Sequence, residues 1–291
     1  MPELPEVEVL VRHLEPLLRH RTIYSIDVRR PRVLRPTSAA VLKRTLKGAR
    51  VVGLSRRGKY LLFEIQPRGR SGLTILVGHL GMTGRMYLLP SGSALPKHAA
   101  VVLDLGEEQF VFEDTRYFGR FTLNSAALNG LGPEPLSPNF SPEGLFRGLA
   151  PSIQPIKVKL LDQSLVAGIG NIYASEALFR AGISPVLSAR RVSVELAAQL
   201  WSSIRCTLRE AIEFGSTVPL DYSGAVEKDR LFYYGRAEGS PQNVEERLLV
   251  YDRKDQPCVN CGAKIKRIVQ AGRSTFYCPK CQRSSQRPKS V

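Results

Sequence analysis

The sequence predicts an α+β protein of several domains: a leading helix with a β-sandwich, then a helical region, then a short ribbon stapled by metal. Three observations predict it. Short β-type runs punctuated by Gly and Pro fill the first part, helical apolar spacing takes over after residue 136, and four cysteines in two CxxC pairs close the chain. At 291 residues the chain is long enough for two domains, each with its own core.

The first helix is read from Val7, Leu10, Val11, Leu14, Leu17 and Leu18, which recur at helical spacing, with Pro16 required to bend or end it. Strand-type runs follow at 23–28, 51–55, 60–65, 73–77, 99–105 and 109–112. Their shortness and spacing argue for a sandwich or barrel rather than a parallel sheet. The run Gly130-Leu131-Gly132-Pro133-Glu134-Pro135-Leu136 reads as a linker. Beyond it, helical patterns cover 142–149, 156–162, 172–181 and 194–214. Residues 216–249 have little periodicity and mixed charge, and read as a long functional or disordered loop.

Cys258-x2-Cys261 and Cys278-x2-Cys281 stand sixteen residues apart, a spacing that lets two knuckles put four thiolates on one tetrahedral zinc ion. Two disulfides are the alternative, disfavoured by the lack of an export signal. Cys206 lies alone in a predicted helix and is expected to be a small buried apolar residue. Forty-two Lys and Arg against twenty-six Asp and Glu give a net charge of +16, which points to a polyanionic partner. Residues 254–291 carry nine basic side chains and one acid, so the ribbon is expected to clamp phosphates. No apolar run reaches the roughly 18 residues of a membrane span, and the start lacks signal-peptide features. A cytoplasmic protein is expected.

Three segments can carry chemistry. The chain begins Met1-Pro2-Glu3-Leu4-Pro5-Glu6. Loss of Met1 would leave a secondary amine, and an α-amino group at about 7.7–8.0 is nucleophilic near neutral pH, where lysine at about 10.4 is not. Its addition to an anomeric carbon gives an iminium ion that acts as an electron sink, and Glu3 could carry protons. A plain helix entry is the other reading of these residues. Gly168-Ile169-Gly170-Asn171 leads into a helix, so one phosphate could sit there with Asn171 as ligand, or Asn171 could be only an N-cap. Arg56-Arg57-Gly58-Lys59 lies at a turn that either aims Lys59 into a cleft or is a solvated basic turn.

Taken in order, several blocks resemble formamidopyrimidine-DNA glycosylase and its endonuclease VIII relatives. They are Pro2-Glu3-Leu4-Pro5-Glu6-Val7-Glu8, Gly58-Lys59-Tyr60-Leu61, His79-Leu80-Gly81-Met82-Thr83-Gly84, Asp114-Thr115-Arg116-Tyr117-Phe118-Gly119, the linker above and Gly168 through Glu176. The terminal Cys258…Cys261-Gly262…Arg273-Ser274-Thr275-Phe276-Tyr277-Cys278 completes the set. The resemblance implies an N-terminal β-sandwich catalytic domain (1–130), a helix-two-turn-helix DNA-binding domain (131–215), a lesion-covering loop region (216–250), a zinc finger (251–285) and a tail (286–291). It implies DNA bound between two lobes, extrusion of an oxidised purine, base excision and a strand nick.

On the same basis Pro2 is the nucleophile and Glu3 the acid/base. Lys59 assists β-elimination, and Arg273 binds phosphate and assists δ-elimination. Met82, Arg116 and Phe118 fill the gap left by the base. His98, Asn171 and Lys157 contact DNA, and Cys258, Cys261, Cys278 and Cys281 hold one zinc. Read alone, Met82 and Phe118 would more often be core residues. Double-stranded DNA with an oxidised base or abasic site is the implied partner, and a monomer associated with the bacterial nucleoid is expected. Leu4 favours the purine branch, since the sister group usually has Gly there.

The sequence also departs from the family. Tyr117 replaces a usual second basic residue after Arg116, and no basic residue precedes Ile156-Lys157, which implies fewer phosphate contacts. Asp252 and Asp255 stand where the family has glycines, and 216–249 is longer than the family's lesion-covering loop. A zinc-dependent DNA-binding protein without catalysis is the alternative from another class.

Overall fold

Apolar side chains on one stripe of the first helix and on alternating strand positions share a single core, and this sets the architecture of the N-terminal half. In the computed structural model, residues 2–216 and 248–283 are described. The expected loop at 216–250 and the tail at 286–291 fall almost wholly outside them. The chain divides into two compact units, 1–129 with 215–244, and 130–214 with 245–291.

In the first unit, helix α1 (Leu4–Leu18) buries Val7, Leu10, Leu14 and Leu18. Burial of each leucine is worth roughly 1.5–3 kcal/mol. Pro16 is accommodated in the last turn, where it forfeits only the bond to the Arg12 carbonyl, and the Arg19 N–H caps the Glu15 carbonyl where the helix ends. Two four-stranded antiparallel sheets follow, with strand orders β1-β6-β7-β5 and β2-β3-β4-β8. Their strands are β1 (Ser25–Val28), β2 (Arg50–Arg57), β3 (Tyr60–Gln66), β4 (Thr74–His79), β5 (Gly84–Pro90), β6 (Ala99–Asp104), β7 (Glu108–Asp114) and β8 (Arg120–Thr122). Leu61, Phe63 and Ile65 of one sheet and Val101, Phe110 and Phe112 of the other lie in one core with the α1 stripe. Phe63 meets Phe110 and Phe121 edge-on at 5.7 and 5.6 Å.

Helix α2, strand β5 and the three-residue strand β8 of this unit escape the sequence pattern. Helix α2 (Ala39–Leu46) buries only Leu42 and Leu46, too few for a periodic signal. Strand β5 is an edge strand that ends on Pro90, where a missing N–H is harmless.

The second unit holds α3 (Pro142–Leu149), α4 (Ile156–Leu160), α5 (Asn171–Arg180), α6 (Val194–Ser216) and the hairpin β9 (Lys266–Gln270) with β10 (Arg273–Tyr277). Cys206, expected to be buried, is exposed on α6 with its thiol 3.1 Å from Glu210 Oε1. Glu210 holds it on the polar face, and this bond, ahead of burial, pushes the Cys206 thiol above its ordinary pKa. Asp252 and Asp255 have φ of 59° and 64°, the left-handed region that favours the glycine usual at these places. Asp255→Gly is therefore expected to raise stability, by roughly 0.5 kcal/mol. Chemical denaturation would show it as a higher midpoint at constant slope, and a lower midpoint would contradict it.

Candidate active site and metal centre

A capping box starts α1. Glu3 is the N-cap, its carboxylate accepts from the Glu6 backbone N–H, and Glu6 Oε2 accepts from Glu3 N–H at 2.7 Å. Pro2, Glu3 and Glu6 are all buried. The helix-entry reading therefore holds as a local fact. Burying two carboxylates at a helix start is nonetheless costly unless their bonds hold them.

Lys59 occupies the second turn position of the β2–β3 hairpin, after Gly58 at φ 58°. That positive φ at the first position suits a primed hairpin turn. Only 8% of Lys59 is exposed, so the turn is not a solvated one. Arg56 donates to Glu8 Oε2 at 2.8 Å and to the Gly58 carbonyl at 2.9 Å, tying the hairpin to α1. Burial acts to raise the Glu8 carboxyl, but the guanidinium groups of Arg56 and Arg12 outweigh it and hold the carboxyl below its ordinary value.

Two loops meet beside β4 and β7. A Cβ on Gly81 would lie 2.7 Å from the Gly119 nitrogen, so only glycine permits their backbones to touch. Asp114 fastens them: Oδ1 accepts from Thr83 Oγ1 at 2.6 Å and from Arg116 N at 3.1 Å, and Oδ2 from Gly119 N at 2.8 Å. Met82, Arg116 and Phe118 ride on these loops and are exposed, Met82 at 41% and Phe118 at 46%. The Arg116 guanidinium lies 4.8 Å over the Phe118 ring centroid. Neither Met82 nor Phe118 is a core residue. Between them in sequence, Tyr117 has φ 53°, a conformation costing a non-glycine residue about 1 kcal/mol or more. Tyr117 packs against the core instead, and its hydroxyl lies 3.2 Å from His98 Nδ1.

His79 is a functional candidate that sequence reasoning passed over, although it opens the His79–Gly84 block. Its Nδ1 accepts from Gly81 N–H at 3.0 Å, which leaves the ring proton on Nε2. Burial, then the charges of Lys59 and Arg120, lowers its pKa to about 4. Between about 4 and the ordinary 6.5 the unfolded chain binds a proton that the folded one refuses, so stability falls as pH drops through that window. NMR titration of the imidazole is expected to show a midpoint well under 6. A midpoint at or above 6.5 would contradict the neutral ring.

In the second unit, Lys157 is fully buried, and its ammonium donates to Asn171 Oδ1 and to the Ser274 carbonyl at 3.3 Å. Asn171 Nδ2 donates to the same carbonyl at 2.9 Å and to Tyr251 Oη at 3.3 Å. Asn171 is thus not the N-cap of α5, a place taken by Gly170. Both side chains grip the residue next to Arg273, which is exposed just after the β9–β10 turn. Ala271 and Gly272 in that turn both have positive φ, as a type I′ turn requires. Glu176, fully buried, accepts from the N–H groups of Leu249, Val250 and Tyr251 at 2.8, 3.0 and 2.8 Å. Burial pushes its carboxyl up against the opposing pull of those three donors. It anchors the chain where it enters the finger.

The four terminal cysteine sulfurs lie within 4.8 Å of one another. Cys258 and Cys281 are 3.8 Å apart and Cys261 and Cys278 3.4 Å, close to the separation that zinc–sulfur bonds of about 2.3 Å impose on a tetrahedron. Cys281 N–H points at Cys278 Sγ at 3.4 Å, so the backbone also favours thiolate there. Burial, with the neighbouring thiols, pushes Cys281 up, a cost that a divalent cation removes. The residues fit one structural zinc ion with no open position. Gln282 joins the finger to the helices, donating to the Ile183 carbonyl and accepting from Cys278 N–H, both at 2.9 Å.

Sandwich, helical unit and four-thiol ribbon, with cations and exposed apolar side chains on their loops, define a zinc-finger protein suited to a nucleic acid. Residues 1–121 match the family model described as formamidopyrimidine-DNA glycosylase N-terminal domain, 131–221 the H2TH domain of the same enzyme, and 255–283 a zinc finger found in FPG and IleRS. Formamidopyrimidine-DNA glycosylase of Carboxydothermus hydrogenoformans is 40% identical over 283 residues, covering 97% of this chain and all of that protein. The chain belongs to the formamidopyrimidine-DNA glycosylase family. Among solved structures, a Lactococcus lactis variant in complex with Fapy-dG containing DNA aligns with TM-score 0.83 and 34% identity, covering 97% of this chain and 100% of the other. The wild-type Lactococcus lactis protein in complex with DNA containing an oxidised pyrimidine aligns with TM-score 0.82, 33% identity and the same coverage. No helix among the described residues is long and apolar enough to cross a membrane.

Proposed function

We propose that this protein is a bifunctional DNA glycosylase and lyase of base excision repair, acting on oxidised purines in double-stranded DNA. The reading is carried by the Pro2-Glu3 start of α1 in a chain that matches lesion-binding relatives end to end. Once Met1 is removed, the Pro2 nitrogen attacks C1′ of the damaged nucleotide. The glycosidic bond breaks and the base leaves with a proton; the C1′–O4′ bond then opens, O4′ takes a proton, and the nitrogen becomes an iminium. The positive end of α1 disfavours a charge on the Pro2 amine and so favours its neutral, nucleophilic form. Glu3 carries protons for sugar opening, at some loss to its role as a cap.

The iminium acidifies C2′, and loss of that proton expels the 3′ phosphate in β-elimination. Lys59 serves this step, while Arg273 holds phosphate for the δ-elimination that expels the 5′ phosphate. Met82, Arg116 and Phe118 occupy the gap in the duplex, which costs a few kcal/mol to open. His98, Asn171 and Lys157 bind or support the backbone contacts, and His79 Nε2–H adds a neutral donor beside Lys59. The cell compartment is the bacterial cytoplasm, on nucleoid DNA. A second reading, excision of oxidised pyrimidines, draws support from the relative bound to such a lesion.

Base release measured on matched duplexes carrying formamidopyrimidine, 8-oxoguanine or an oxidised pyrimidine decides between them. Faster release of both purine lesions is expected. Preference for the pyrimidine would replace the first reading by the second, and binding without any release would leave only a DNA-binding protein.

A further inference from the structure

We propose that Arg30, Tyr117 and His98 form a cradle for one DNA backbone phosphate, with Arg30 supplying the cation missing at position 117. The proposal rests on the DNA-glycosylase reading above and adds a contact to it. Arg30 Nε donates to Tyr117 Oη at 3.1 Å, and its guanidinium lies 5.6 Å from the centre of the Tyr117 ring. Its Nη1 donates to the Arg29 carbonyl at 3.1 Å. Its base is pinned as well, because the N–H groups of Arg29 and Arg30 both donate to the Ala100 carbonyl, at 3.0 and 3.1 Å. Among the described residues no carboxylate pairs with Arg30, which is exposed. An arginine fixed at two nitrogens and left without an acid is prepared for an anion from outside.

The phenol orders the third member. In the cradle Tyr117 Oη, which accepts from Arg30, gives its own proton to His98 Nδ1, 3.2 Å away. The His98 ring proton is then on Nε2. Arg30 Nη2 and His98 Nε2 become two outward donors, a pairing that matches phosphodiester oxygens. The left-handed backbone at Tyr117 turns its ring back towards His98 and Arg30, while Arg116 and Phe118 on either side remain exposed. Strain at a single residue that separates two exposed side chains from one anchoring group is explained by this division of labour.

Fluorescence anisotropy with a duplex containing a tetrahydrofuran abasic analogue, and with its undamaged counterpart, tests the cradle between about 50 and about 200 mM salt. Arg30→Ala is expected to weaken both duplexes by the same factor, roughly five- to tenfold at low salt, and to flatten the log–log salt slope by about 0.9. Arg30→Lys should keep the slope. Tyr117→Phe, which keeps the charge but releases its hold, should weaken binding by roughly threefold, and Arg30→Ala with Tyr117→Phe should lose less than the product of the two single losses. An unchanged slope in Arg30→Ala, or additive losses in the double variant, would overturn the cradle. Should Tyr117→Phe not fold, the Ala and Lys variants at position 30 decide by slope. Failure of the unsubstituted protein to bind the lesion duplex would instead overturn the glycosylase reading and the cradle with it.

Discussion

Adding residues ahead of Pro2 is expected to abolish borohydride trapping on lesion DNA and to lower base release by on the order of 10³-fold or more, with DNA binding retained. An upstream residue turns the Pro2 nitrogen into an amide, whose lone pair is delocalised and cannot attack carbon. Pro2→Gly leaves a primary amine in nearly the same place and should keep a small, trappable activity. Mass spectrometry of the purified protein should show loss of Met1, because the mechanism requires it. A trapped adduct that persists in the extended protein would move the nucleophile elsewhere, with Lys59 the first residue to examine. Glu3→Gln is the companion variant. It keeps an oxygen to cap Glu6 N–H, so the helix should stay while proton transfer is lost.

Removing zinc, by chelation or by Cys278→Ser, is expected to unfold the finger and weaken lesion-DNA binding by at least 100-fold, on the order of 3 kcal/mol. The finger's apolar core is small, comprising Val250, Ile265, Phe276 and two of the cysteines packed on Phe179 of α5. Structural zinc in such a module supplies roughly 10–16 kcal/mol of folding free energy, far more than that cluster can. Loss of the finger also releases Ser274 from Lys157 and Asn171 and so scatters the cations around Arg273. The sandwich has its own core and should keep its thermal transition. Metal-free protein that binds lesion DNA as tightly as the zinc form would refute a role for the finger in recognition.

Local rules made much of the fold legible. The α1 stripe, most of the strands and the helices of the second unit follow from apolar periodicity, which depends only on neighbours along the chain. The weakly periodic α2 and the edge strand β5 do not, because their places are set by what packs on them. Cys206 departs from its expected burial for a related reason: a free cysteine is usually buried, but helix phase and Glu210 place this one outside. Asp252 and Asp255 were visible as departures from glycine, while the left-handed backbone that makes them informative was not.

Chain order alone carries the family, the four metal ligands and the Pro2-Glu3 motif, because motifs and CxxC spacing are properties of that order. Tertiary structure decided among the readings that order leaves open. It buried Lys59 and Lys157, exposed Met82 and Phe118, took Asn171 from the helix cap to Ser274, and brought Arg30 to Tyr117 across 87 residues. Burial and hydrogen-bond partners depend on groups distant in sequence, and whether a side chain is structural or chemical turns on those two quantities.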